Sequence, residues 1–137
     1  MKHILIDSDV LLDMLTDRKP FSKDALEIFS LCEQKKIQGY VTPIIIANMY
    51  FILRKLFTHD AVTNGLDKLL DVIEVAHTDK TVIRNALKSD FKDFEDALQN
   101  FSAVKNGKIT TIITRNVKDY KKSTLAIVSP EMYLKEN

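Results

Sequence analysis

An α/β fold, with a mostly parallel sheet layered between helices, is predicted by two features of this sequence. Short β-type runs alternate with longer segments of helical periodicity, and no repeat, low-complexity tract or long linker interrupts that order. Parallel neighbours need long crossovers, and helices on both faces supply them, which makes three layers. At 137 residues the chain suits one domain over 1–137 with a sizeable core.

Lys2 to Ile6 reads as the first strand and Asp7 to Asp9 as the turn at its C-terminal end. Phe21, Ala25, Ile28, Phe29 and Cys32 recur at helical spacing, so an amphipathic helix is expected to end near Gly39. Tyr40 to Thr42 forms a short second strand. Pro43 opens the next helix, where its missing N–H breaks no bond, and that helix is apolar on nearly every side from Ile44 to Leu53. A helix from about Asp60 to Leu70 precedes a strand at Val72 to Ala76. Thr78 or Asp79 can cap the following helix, with Val82, Ile83, Ala86 and Leu87 as its buried face. After a break at Ser89 and Asp90, Asp93 is the expected N-cap of a helix from Phe94 to Lys105, which Gly107 ends. Thr110 to Ile113 and Leu125 to Val128 complete five strands.

The apolar fraction of 45% and charged fraction of 28% exclude a disordered or fibrous chain. A net charge of +1 leaves any nucleic-acid affinity to local clusters of Lys and Arg. Cys32, the one cysteine, falls on the apolar side of its helix, so it is expected in the core and offers no disulfide or zinc framework. The longest apolar stretch, Ile44 to Leu53, is interrupted by Asn48 and falls far short of the roughly 20 residues that span a membrane. Asp7 and Asp9 stand where the apolar region of a signal peptide would be, so a cytoplasmic location is expected.

Ligands of open α/β sheets bind beyond the C-terminal ends of the strands. Three stretches carry acids or amides there: Asp7-Ser8-Asp9 after the first strand, Asp93 and Asp96 at a helix start, and Thr114, Asn116 and Asp119 after the fourth strand. Asp9 and Asp93 also suit helix caps, and Asp96 also suits the positive end of a helix dipole. Asp7 directly follows buried strand and must be satisfied nearby. Two like charges about 4 Å apart repel by about 4 kcal/mol at an effective dielectric near 20, so converging acids need a cation. A hard divalent ion with oxygen ligands fits, and it would steady a phosphodiester under in-line attack. His3, His59 and His77 show no ligand spacing.

These stretches resemble the PIN-domain family, in particular the VapC-like toxin ribonucleases. Asp7-Ser-Asp-Val-Leu-Leu-Asp is similar to the opening motif, Asp93-Phe-Glu-Asp-Ala-Leu to the central one with Asp96 on its key acid, and Thr114-Arg-Asn-Val-Lys-Asp-Tyr to the closing one. In the closing motif either Asn116 or Asp119 matches the acid that completes the cluster, and Asp119 is the one that carries charge. The order and separation of the three pieces agree with the family over nearly the whole chain. The resemblance implies a five-stranded parallel sheet and Mg²⁺ or Mn²⁺ held by Asp7, Asp96 and Asp119. It also implies endonuclease action on RNA, dimerisation, and neutralisation by an antitoxin as in type II toxin–antitoxin modules. Ser8, Asp9, Asn48, Asp93, Thr114 and Asn116 are the expected supporting residues. Asn48 departs from the family, which usually has Glu at the matching place, and an amide brings no negative charge.

Arg115, Lys118, Lys121 and Lys122 cluster beside the closing motif and are the expected RNA contacts, with Tyr120 between them as an aromatic able to stack on a base. The all-round apolar helix from Ile44 to Leu53 exceeds one core-facing stripe, so either other elements bury it or a second copy or an antitoxin covers one side. Two other functions compete. Asn48 favours a degenerate PIN module that binds RNA or a protein without cutting. Asp7-Ser-Asp-Val-Leu also matches the Asp-x-Asp pair of haloacid-dehalogenase-like phosphohydrolases, although none of Gly39, Gly65 and Gly107 precedes an Asp as that family's later acids commonly require.

Overall fold

A computed structural model describes residues 1–136. Among the described residues one five-stranded sheet, parallel throughout, is built from β1 (Lys2–Ile6), β2 (Ile37–Val41), β3 (Glu74–Val75), β4 (Thr111–Ile113) and β5 (Ala126–Val128), in the order β3-β2-β1-β4-β5. The α-helices are α1 (Ser8–Leu15), α2 (Ser22–Glu33), α3 (Pro43–Leu53), α4 (His59–Leu69), α5 (Lys80–Lys88), α6 (Phe94–Asn106) and α7 (Pro130–Glu136).

β1 is central because its C-terminal half is apolar on both faces. Ile4, Leu5 and Ile6 are essentially inaccessible, each side chain contributing roughly 1.5–3 kcal/mol by burial. From β1 the chain steps outward through β2 to β3, then crosses back to β4 on the other side of β1. Right-handed crossovers place the helices of the outward steps on one face and those of the return step on the other. The packing agrees: α1 lies against α2 and α3, α3 against α4, and α2 against α7, while α5 and α6 pack on each other. This is the three-layer α/β/α sandwich. Reversal between β1 and β4 also leaves a crevice at their C-terminal ends, where a ligand would bind.

Caps fix the helix starts. Thr42 Oγ1 accepts from Ile45 N at 3.2 Å ahead of Pro43, and Asp79 Oδ1 accepts from Val82 N at 3.0 Å. Gly107, at φ +80°, ends α6 in the left-handed conformation that glycine adopts without strain. Cys32 is buried, as its helical register requires, and its thiol is pushed up to about 11 by that burial.

Several boundaries differ from expectation. The helix expected to run to Gly39 stops at Glu33, and Gly39 lies inside β2, opposite Ile4. A Cβ at Gly39 would meet Ile73 Cδ1 at 2.7 Å and Cys32 Sγ at 2.9 Å, so glycine is there for close packing rather than for a turn. β3 keeps only Glu74 and Val75 of the expected five residues, both exposed at the sheet's edge. α5 buries Val82 and Ala86 only, because α6 covers a narrow stripe; Ile83 and Leu87 are 40% and 67% exposed. α3 is apolar all round yet not enclosed: Ile45, Met49 and Leu53 are buried, while Phe51 is 68% exposed beside exposed Ile52. No described helix is long and apolar enough to cross a membrane.

Replacing Gly39 by alanine forces Ile73 and Cys32 to shift and is expected to cost about 1–3 kcal/mol in urea unfolding. An unchanged midpoint would show that the contact is relieved without strain.

Candidate active site

Adjacency of β1 and β4 sets Asp7 beside Thr114. Asp7 N donates to Ile113 O at 3.0 Å and Thr114 N to Val128 O at 3.0 Å, so both residues extend the ladder just past their strands. Asp7 is the N-cap of α1, its Oδ1 accepting from the backbone N of Ser8 at 2.7 Å. Its Oδ2 accepts from Thr114 Oγ1 at 2.9 Å and from the Tyr120 hydroxyl at 3.3 Å. Burial nevertheless raises the Asp7 carboxyl above its ordinary range.

Asp9 therefore is not the cap. It sits in the first turn of α1 and reaches the loop after β4, where its Oδ2 accepts from Arg115 N at 3.0 Å and from Asn116 Nδ2 at 3.3 Å. Its buried Oδ1 has no hydrogen-bond partner in the structure. Burial, and then the charge of Asp7, push Asp9 up to about 6.

Asp93 is the N-cap of α6, accepting from Asp96 N at 3.0 Å. Asp96, in the first turn, is pushed up to about 7 by burial and then by the negative charges of Asp93, Asp7 and Asp119. Acids more than 100 residues apart thus share one field. Asp119 comes from a 3-10 turn, Val117–Tyr120, and is exposed at the rim.

Two residues lie differently from expectation, and a third, Asn48, has a partner that the sequence did not suggest. Tyr120, expected to stack on RNA, is wholly buried, and its hydroxyl lies between Asp7 and Asp96. Burial and those two charges raise its ionisation far above the ordinary range, so it stays a neutral donor. Arg115, an expected RNA contact, is committed elsewhere: its Nε and Nη2 donate to buried Asp13 at 2.6 and 3.1 Å, and its guanidinium lies 4.0 Å from the Phe21 ring centroid. Asn48, on α3, donates through Nδ2 to Glu95 Oε2 at 2.8 Å.

Lys118, Lys121 and Lys122 are exposed and line a cleft of about 400 Å³ together with Lys92, Asp93 and Asp119. Lys92 was not among the expected contacts, although its place beside Asp93 could have suggested it. Gln99, one turn beyond Asp96, is 2% exposed, hydrogen-bonds Asp7, and leaves its Oε1 without a partner. Glu95, inside the central acidic stretch, was also passed over.

No three His, Cys, Asp or Glu side chains among the described residues are already gathered at metal-ligand spacing. The donor set still fits a hard divalent cation. Every candidate ligand is an oxygen, the acids raise one another's proton affinity, and buried oxygens of Asp9 and Gln99 lack donors.

A family model described as PIN domain matches residues 3–118. Solved structures give the same fold. A chain of the VapBC2 complex from Rickettsia felis, bound to a promoter DNA fragment, superposes with a TM-score of 0.67 at 16% identity, covering 93% of this chain and 97% of that one. For VapBC-1 from nontypeable Haemophilus influenzae the values are 0.69, 12%, 94% and 98%. VapC20 from Mycobacterium tuberculosis, a toxin that cleaves the sarcin-ricin loop, gives 0.60, 16%, 80% and 86%. No curated protein sequence matches significantly. The PIN match takes the Asp7-Ser-Asp stretch away from the haloacid-dehalogenase reading.

Asp9 and Asp96 bind protons more tightly folded than unfolded, so the metal-free protein loses stability as pH rises from about 4 to 7. A cation that replaces those protons removes the loss. Mn²⁺ is expected to raise the thermal midpoint by about 3 °C more at pH 8 than at pH 5 in scanning calorimetry. Equal shifts at both values would separate the acids from cation binding.

Proposed function

Because this chain belongs to the PIN-domain family, we propose that it is a metal-dependent endoribonuclease, the toxin of a type II toxin–antitoxin module acting in the cytoplasm. The observation that carries this reading is the convergence of Asp7 from the end of β1 and Asp119 from the 3-10 turn on Asp96 of α6, close enough that their charges add to burial and to Asp93 in raising its proton affinity. Mg²⁺ or Mn²⁺ would be held by Asp7, Asp96 and Asp119, with Asp9 and Gln99 behind them. Such an ion supplies Lewis-acid charge to offset the negative charge that builds on a phosphodiester during in-line attack by water.

The remaining work falls to the chain's own groups. Thr114 and Tyr120 donate to Asp7 Oδ2 and so aim its carboxylate, as the backbone N–H of Ser8 does for Oδ1. Asp93 fixes the first turn of α6, and Asn116 steadies Asp9. Lys118, Lys121 and Lys122, joined by Lys92, hold backbone phosphates along the cleft that opens at Asp119. Arg115 is a positioning residue, pinning the closing loop to α1 through Asp13.

VapBC neighbours support an antitoxin partner, and VapC20 supports RNA as the substrate class. The exposed apolar side of α3, with Phe51 and Ile52, suits a homodimer or antitoxin contact. Asn48 favours a second reading, a degenerate module that binds RNA without cutting, since the amide carries no charge toward a cation.

Purified protein freed of any antitoxin, incubated with structured RNA and Mn²⁺, is expected to cut it. Asp7→Asn and Asp96→Asn should each lower the rate by about 100-fold or more while the circular dichroism stays native, since Asn caps a helix about as well as Asp. Wild-type cutting by either variant would remove that residue from the mechanism, and no cutting above the variants would favour the binding module.

Changing Lys118, Lys121 and Lys122 together to Gln should flatten the salt dependence of RNA affinity, lowering the log–log slope by about 2. An unaltered slope would move the RNA path away from this cleft.

A further inference from the structure

We infer that Glu95 supplies an acidic charge to the α3 side of the site, and that Asn48 is the tether that holds it there. This rests on the metal-dependent reading above. Asp7 approaches from β1, Asp96 from α6 and Asp119 from the 3-10 turn, whereas α3 brings only a neutral amide.

That amide is not idle. Asn48 Nδ2 donates to Glu95 Oε2 at 2.8 Å, joining elements 47 residues apart. A carboxylate only accepts, so the bond fixes which end of the Asn48 amide faces Glu95. Glu95 is exposed, and confining a long solvated side chain costs rotamer freedom, so a free Glu gains little by staying put. An acid serving only the dipole of α6 needs no such partner.

Direction supports the same role. Consecutive helical residues point about 100° apart, so Asp96 turns toward Tyr120 and Asp7 while Glu95 turns toward α3. The two acids therefore leave one helix turn in two directions, one toward Asp7 and the other toward α3. Gln99 Oε1, buried near Asp7 without a donor, is an independent sign that a cation belongs beside Asp7. With Glu95 counted, the negative charge missing at Asn48 is present on the facing helix.

Mn²⁺ binding to the metal-free full chain, read by titration calorimetry and by thermal midpoint, tests this without any substrate. Asp7→Asn is the control that shows the titration reports this site. Glu95→Gln is expected to weaken Mn²⁺ about tenfold or more, and Asn48→Ala to weaken it in the same direction by less. Combining Asn48→Glu with Glu95→Gln exchanges donor and acceptor across the same contact and should recover most of the affinity.

Mn²⁺ affinity of Glu95→Gln within about twofold of wild type, with binding lost in Asp7→Asn, would overturn the inference and leave the nuclease reading standing. A double variant no better than Glu95→Gln would overturn it too. Wild-type protein that takes up no Mn²⁺ would overturn both.

Discussion

Mutual repulsion among carboxylates is the constraint around which this molecule is arranged. Asp7, Asp9, Asp93, Asp96 and Asp119 come to one crevice although burial and like charge oppose it, and Asp9 and Asp96 show the cost in proton affinities displaced to about 6 and 7. Neutral donors fill the gaps between them: Tyr120 between Asp7 and Asp96, Thr114 between Asp7 and the loop after β4, Asn116 at Asp9. The sheet order makes the meeting possible, because only where the winding reverses do two strand ends lie side by side without a helix between them.

Legibility in the sequence followed the locality of the physics. β1 was readable because Ile4, Leu5 and Ile6 form an unbroken apolar run, and α3 because Pro43 announces it, although Thr42, expected to end the second strand, is its N-cap. Asp93 as a cap and Gly107 as a stop were also readable, since each acts within one turn of its own position. α1 and α7 were missed for the opposite reason: α1 shares its first turn with the acidic stretch that drew attention as a turn, and α7 is one short amphipathic segment whose burial comes from α2. Gly39 misled because a glycine after a helical stretch usually stops the helix, whereas here three side chains crowd the place of its Cβ.

Within the site, residue type was legible and allocation was not. The acids could be picked out by their positions after strands, but nothing local says that Arg115 turns back to Asp13 and Phe21 while its lysine neighbours face the cleft. Tyr120 shows the same limit: among lysines it looks like a surface aromatic, yet Phe91 packs against its ring and its hydroxyl meets acids from β1 and α6. The hydrogen bond between Asn48 and Glu95 is invisible to any motif read one element at a time, because the partners stand on different helices.

Order of synthesis gives the Asp7 contact a further meaning. In a growing chain Asp7 emerges before Asp96, and the two groups that donate to Asp7 Oδ2, Thr114 and Tyr120, are translated later still. Until β4 takes its place beside β1, neither Thr114 nor Tyr120 reaches that carboxylate oxygen. The crevice is therefore completed only when β4 docks beside β1, so a partly made domain lacks the donors that orient Asp7.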